Sequence, residues 1–199
     1  MITKGILFVI AAPSGTGKTT LVSALIERVS QQCLLEKVIT YTSKTPRINE
    51  VCGIDYHFIS ENEFKIKIEQ QFFLEWSDVY GAYYGCSKEI LAQIEQGRSY
   101  ILILDRKGAK SVKESYPNAV LIWLIPPSLE ELAQRLHKRA TDLPEHINRR
   151  LDLAHVELEQ ERSEKLFDYV IINKDFNTAL AQLEELVVRS IEVYKKNRS

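Results

Sequence analysis

Four short runs of this chain are apolar almost without interruption: Ile6–Ala12 (ILFVIAA), Tyr100–Asp105 (YILILD), Ala119–Ile125 (AVLIWLI) and Phe167–Asn173 (FDYVIIN). A strand with one wet face alternates apolar and polar residues. A run without alternation hides both faces, as strands of a parallel sheet between helices do. Lys37–Ser43 (KVITYTS) alternates partly and is a fifth candidate. Helical patterns fall between the runs. Leu21, Leu25 and Val29 recur at spacings of four in a helix over 18–32. Ser128 with Glu131 three residues later forms a capping box. A charged, weakly amphipathic helix is expected over 145–165. One with a strong stripe (Leu180, Leu183, Leu186, Val187, Ile191, Tyr194) is expected over 176–196. This alternation predicts an α/β fold, a five-stranded parallel sheet flanked by helices with right-handed crossovers.

The rhythm breaks between Lys44 and Cys86, where the sequence turns polar and aromatic and Pro46, Gly53, Gly81 and Gly85 punctuate it. That segment reads as a small α+β insert of short antiparallel strands with a helix near 61–70. With 199 residues the chain suits one globular domain. A net charge of −1 gives no electrostatic case for nucleic acid or for an acidic membrane as partner. The apolar stretch GILFVIAAP is too short to span a bilayer and runs into a glycine-rich loop, so it reads as a buried strand. The three widely spaced cysteines, Cys33, Cys52 and Cys86, fit reduced thiols in the cytoplasm better than a disulfide framework.

The loop after the first run reads Ala12-Pro13-Ser14-Gly15-Thr16-Gly17-Lys18-Thr19-Thr20. It matches the phosphate-loop pattern G-x-x-x-x-G-K-[ST] at every position but the first, where Ala12 replaces glycine. An alanine there is tolerable at negative φ. A strand before and a helix after supply the required context. Consecutive N–H groups and the positive end of a helix dipole then meet an anion. Lys18 would reach the outer phosphates and the Thr19 hydroxyl would hold Mg²⁺. Asp105 ends a strand, as acids that help hold Mg²⁺ do, though aspartate also commonly starts a turn. Lys44 and Arg47 can grip a phosphate together, with Tyr56 and Tyr84 donating hydroxyls; solvated basic pairs and core tyrosines are the bland alternative. Arg135, Arg139 and Arg150 suit a lid that closes on a transferring phosphoryl group, whereas Lys138 and Arg149 fit ordinary helix-surface charge. The four histidines show no metal-type clustering.

APSGTGKTT, TPR with Glu50, Gly53 and DYHF behind it, FLEW, YYG, PPSLEEL, INRRL and DYVIIN occur in this order over nearly the whole chain. In them the sequence resembles the guanylate kinases. The resemblance implies a phosphate-loop core (1–43, 87–136 and 165–199), a GMP-binding insert (44–86) and a helical lid (137–164). It implies Mg²⁺-dependent transfer of the ATP γ-phosphoryl to GMP, with ATP and GMP as the small-molecule partners. Carried over to this chain, it puts ATP on the loop and on Asn173, and GMP on Thr40, Lys44, Arg47, Tyr56, Glu75, Tyr84, Cys86 and Asp105. Glu75 and Asp105 would accept from the guanine N–H groups. Arg135, Arg139 and Arg150 would act from the lid side. Lys44 stands where the family has arginine, Cys86 where it has a hydroxyl, Ile103 where it has an acid and Lys107 where it has glutamine. Two other readings stay open on those departures: a nucleotide binder with weak or no turnover, and a kinase with a shifted acceptor. Whether the chain acts as a monomer or a homo-oligomer is also open.

Overall fold

The computed structural model describes residues 4–79, 81–138 and 144–196. Its elements in chain order are β1 (Leu7–Ala11), α1 (Lys18–Val29), β2 (Leu35–Lys37), β3 (Tyr41–Thr42), β4 (His57–Phe58), α2 (Glu61–Glu69), β5 (Phe73–Val79) and β6 (Ala82–Ser87). They continue with α3 (Glu89–Glu95), β7 (Ser99–Leu104), α4 (Arg106–Ser115), β8 (Val120–Ile125), α5 (Leu129–Lys138), α6 (Pro144–Glu164), β9 (Tyr169–Ile172) and α7 (Phe176–Lys196).

The first sheet runs β2-β7-β1-β8-β9 and every pairing in it is parallel. β1 lies at its centre with all five residues buried. Its two faces feed separate cores, which is why the run cannot alternate. Phe8 and Ile10 pack on one side with Leu21 and Leu25 of α1 and Leu183 and Val187 of α7. Leu7 and Val9 pack on the other with Ile94, Val112 and Trp123. A smaller cluster joins α5 to α6 through Leu132, Leu136, Ile147 and Ala154.

The fifth candidate strand divides between two sheets. β2 begins at Leu35 and leaves the first sheet after Lys37, where the Val38 N–H still donates to the Ile101 carbonyl. The chain then turns, and β3 joins a second sheet ordered β4-β3-β6-β5. That sheet is antiparallel except for its β3–β4 pair, which is parallel. Only half of the expected capping box forms. The Glu131 N–H donates to Ser128 Oγ at 3.2 Å, while the Glu131 carboxylate accepts from Arg135 instead of reaching back. α1 ends at Val29, three residues earlier than its pattern suggests.

Candidate active site

The phosphate loop joins the buried end of β1 to the first turn of α1, a turn that carries no acidic side chain. Ala12 is 2% exposed and its methyl belongs to the core. Its φ is not positive, since Gln71 and Lys165 alone among the described non-glycine residues have positive φ. Alanine is therefore accommodated at the loop's first position. Gly15 does need to be glycine. Its φ is +92°, and a Cβ would stand 2.6 Å from Leu136 Cδ2 of α5. Thr16 is fully buried, and its hydroxyl donates to the Pro13 carbonyl at 2.8 Å. The Lys18 ammonium donates to the Ala12 carbonyl at 2.6 Å and to that of Pro13 at 3.3 Å. Thr19 and Thr20 are exposed on the first helical turn.

Two cavities flank Lys18 and the loop. The first, about 400 Å³, touches Gly15, Gly17, Thr20, Arg135, Lys138 and Asn173. Asn173 is 6% exposed and its amide donates to the Thr16 carbonyl at 2.7 Å. The residue expected to hold ATP thus braces the loop itself. Arg135 donates to the Asn173 carbonyl at 2.8 Å and to Glu131 at 3.0 Å, so this arginine is held at the loop by α5. Lys138, set aside as surface charge, lines this cavity. Arg150 is half-buried on α6. Arg139 lies outside the described residues.

The second cavity, about 280 Å³, brings Lys18 and Thr19 together with Thr40, Tyr56, Glu75, Tyr84, Ile103 and Asp105, residues drawn from both sheets. Asp105 directly follows β7 and caps α4, accepting the Gly108 N–H at 2.7 Å. A Cβ on Gly108 would stand 3.2 Å from both Asp105 Oδ1 and Glu75 Oε2, so a glycine lets the two carboxyls converge. Glu75 is 4% exposed and its Oε2 has no hydrogen-bond partner. Burial first, and the Asp105 charge second, push its pKa up to about 8, against a smaller downward pull from the Cys86 backbone N–H. Glu157 of α6 was not among the sequence candidates. Burial raises its pKa to about 7, with Lys18 pulling it down and Asp105 pushing it up.

Three sequence candidates stand apart from this cavity's lining. Cys86 is fully buried on β6, and its thiol donates weakly to the Ser87 carbonyl at 3.6 Å. Burial, then Glu75, push its pKa upward. Lys44 pairs with Glu50 at 2.5 Å and sits 4.5 Å above the centre of the Tyr56 ring. Arg47 is exposed, and its backbone N–H donates to the same Glu50 at 2.9 Å. Glu50 thereby ties down the Lys44–Arg47 turn, and these two hydrogen bonds lower its pKa, that from Arg47 most. The Arg47 charge still reaches Tyr56 and Tyr84, whose rings lie 5.9 Å apart. The basic segment is therefore placed at the rim of the cavity and not in its wall.

Comparison with known proteins finds likeness along nearly the whole chain. A family model described as guanylate kinase matches residues 4–190. The guanylate kinase of Dechloromonas aromatica (strain RCB) is 45% identical over 184 residues, covering 92% of this chain and 88% of that protein. That of Neisseria meningitidis serogroup A is 44% identical over 185 residues, covering 92% and 87%. Among solved structures, the guanylate kinase from Anaplasma phagocytophilum superposes with a TM-score of 0.73 at 25% identity, covering 94% of this chain and 87% of that one.

Proposed function

The chain belongs to the guanylate kinase family and is an ATP:GMP phosphotransferase, and from that premise we propose how its own residues carry the transfer. An oxygen of the GMP phosphate attacks the γ-phosphorus of ATP. The bond from that phosphorus to the β,γ-bridging oxygen breaks, and GDP and ADP result. Little covalent work falls to the protein; it aligns the two nucleotides and neutralises charge. The loop N–H groups, the α1 dipole and Lys18 hold the ATP phosphates. Asn173 keeps the loop in shape. Arg135 and Arg150 face the transferring group from α5 and α6.

One observation carries the acceptor assignment. The cavity that contains Lys18 and Thr19 also contains a buried carboxyl oxygen without a partner, next to a second carboxylate. Guanine offers two donors on one edge, N1–H and the 2-amino group, which fit Glu75 and Asp105. Adenine lacks that pair, and leaving the buried acid unsatisfied costs about 1–3 kcal/mol. Tyr56, Tyr84 and Arg47 take the GMP phosphate at the rim, with Thr40 on the cavity wall.

Mg²⁺ fits the donors present. Among the described residues no three His, Cys, Asp or Glu side chains converge as a metal cage. Mg²⁺ bound with nucleotide phosphates keeps waters and needs only one or two hard oxygens, which the exposed Thr19 hydroxyl begins to supply. When bound it neutralises charge on the phosphate oxygens. Among the described residues no helix is long and apolar enough to cross a membrane, and Cys33, Cys52 and Cys86 are free thiols. The thiols support the cytoplasmic location we propose.

A coupled assay of ADP release across GMP, dGMP, AMP, CMP and UMP tests the assignment. GMP should support turnover that collapses in Lys18→Ala. Comparable rates with AMP or the pyrimidine nucleotides would overturn it.

A further inference from the structure

α6 turns one stripe inward: Ile147, Arg150, Ala154, Glu157 and Glu161, at the alternating steps of three and four that keep residues on one helical face. Ile147 and Ala154 are buried, and Glu157 is half-buried. The C-terminal part of the helix is pinned to the core. Arg106, 5% exposed, donates to Gln160, Glu161 and Glu164 at 3.5, 3.3 and 3.1 Å. Arg106 directly follows Asp105, and Asp105 walls the cavity that also contains Lys18. One turn before that pin, Glu157 lies on the inward face of α6, within electrostatic reach of Lys18 and Asp105 though not among the residues that line the cavity. Lys18, Asp105 and Arg106 are the charges it faces. Among the described residues no hydrogen bond or ion pair satisfies its carboxylate.

Lys18, meanwhile, is drawn the other way by the Ala12 and Pro13 carbonyls at the base of the loop. We propose that Glu157 is a positioning residue for phosphoryl transfer, drawing the Lys18 ammonium off the loop carbonyls toward the space between the two nucleotides. The assignment rests on the phosphotransferase reading above. A lysine has four rotatable bonds and no fixed direction of its own, so two opposing acceptors define where its charge stands. Charge on the migrating phosphoryl is spread over its equatorial oxygens during transfer, and a cation stationed there lowers the barrier. The same carboxylate is an anion beside the ATP phosphates, so it also weakens ground-state binding.

These two effects give a signature that a packing role lacks. Glu157→Gln keeps the shape and removes the charge. Its kcat should fall about tenfold. Its KM for ATP should fall as well, by about two- to fivefold, since repulsion is relieved. Glu157→Asp should recover part of kcat, and the melting temperature of neither variant should drop below wild type. An unchanged kcat in Glu157→Gln, or a lower kcat with a raised KM for ATP, would overturn the assignment. Should the glutamine variant melt early, the aspartate variant carries the test. Reduced kcat with KM at or below wild type supports the role, and raised KM removes it. GMP-dependent turnover by the wild type tests the phosphotransferase reading by itself, so failure of the one is distinguishable from failure of the other.

Discussion

Replacing Glu75 with glutamine should make the protein more stable and, at the same time, poor at holding GMP. Glu75 is held 4% exposed, beside Asp105, with its Oε2 unpartnered, and its pKa is raised from 4.5 to about 8. A carboxyl whose pKa is raised by folding is bound in its protonated form. Its contribution to stability is therefore fully present below pH 4.5 and is lost progressively as pH rises toward 8. At about 1.36 kcal/mol per unit, the whole span is worth about 5 kcal/mol, and about 3 kcal/mol of it is lost between roughly pH 5.5 and pH 8.5. Glutamine has the same shape and does not titrate. The assay is thermal or urea unfolding of both proteins across that range. The stability advantage of Glu75→Gln should grow by about 3 kcal/mol from the acid to the alkaline end, a widening of about 6–12 °C in Tm for a chain of this size. A gap that stays constant with pH would refute the reasoning, because it would mean that Glu75 is solvated or charged throughout.

Three further outcomes follow from the same geometry. GMP must meet an ionised Glu75, so its apparent affinity by calorimetry should rise about tenfold per pH unit up to about pH 8 and then level off. Gly108→Ala places a methyl 3.2 Å from both site carboxyls, so KM for GMP should rise about tenfold with KM for ATP unchanged in steady-state kinetics. Arg106→Ala leaves the half-buried Glu161, whose side chain is 11% exposed, with the Phe167 N–H but without its cation, and should cost about 3 kcal/mol by urea unfolding; adding Glu161→Leu should restore part of that.

The sheet was legible where a strand is buried on both faces. β1, β7 and β8 show this, each matching an unalternated run to within two residues at either end; β9 also matches its run, but it is an edge strand with only Ile171 buried, so the burial expected on both of its faces is not met there. β2 was misplaced because it is three residues long at a sheet edge, with only Leu35 buried, so its apolar signal is diluted by Glu36 and Lys37. α4 went unnoticed because Arg106–Ser115 is mostly polar. Its buried face consists of Gly108, Ala109, Val112 and an ion-paired arginine, and only the Asp105 cap announced it. At the site, the phosphate loop carries its own context of strand and helix, Asp105 is marked by its place at a strand end, and Glu75 and the guanine-reading role of Asp105 come from resemblance. Glu157 and Lys138 had no local signal. Their relevance arises from where α5 and α6 lie against the loop, which spacing along the chain does not encode. Gly108 is similar: its need to be small is set by Glu75, 33 positions earlier in the chain. Asn173 ends an apolar run, and only the structure shows that its amide braces a loop 157 residues away.

The most direct test of the account follows the label from ATP carrying a radioactive γ-phosphate in a single turnover with GMP or AMP. The label should appear in GDP, depend on Lys18, and fail to appear in ADP when AMP is the acceptor. Label recovered as inorganic phosphate, or transferred equally to AMP, would contradict the claim that this cavity joins a phosphate loop to a guanine-reading pair of acids.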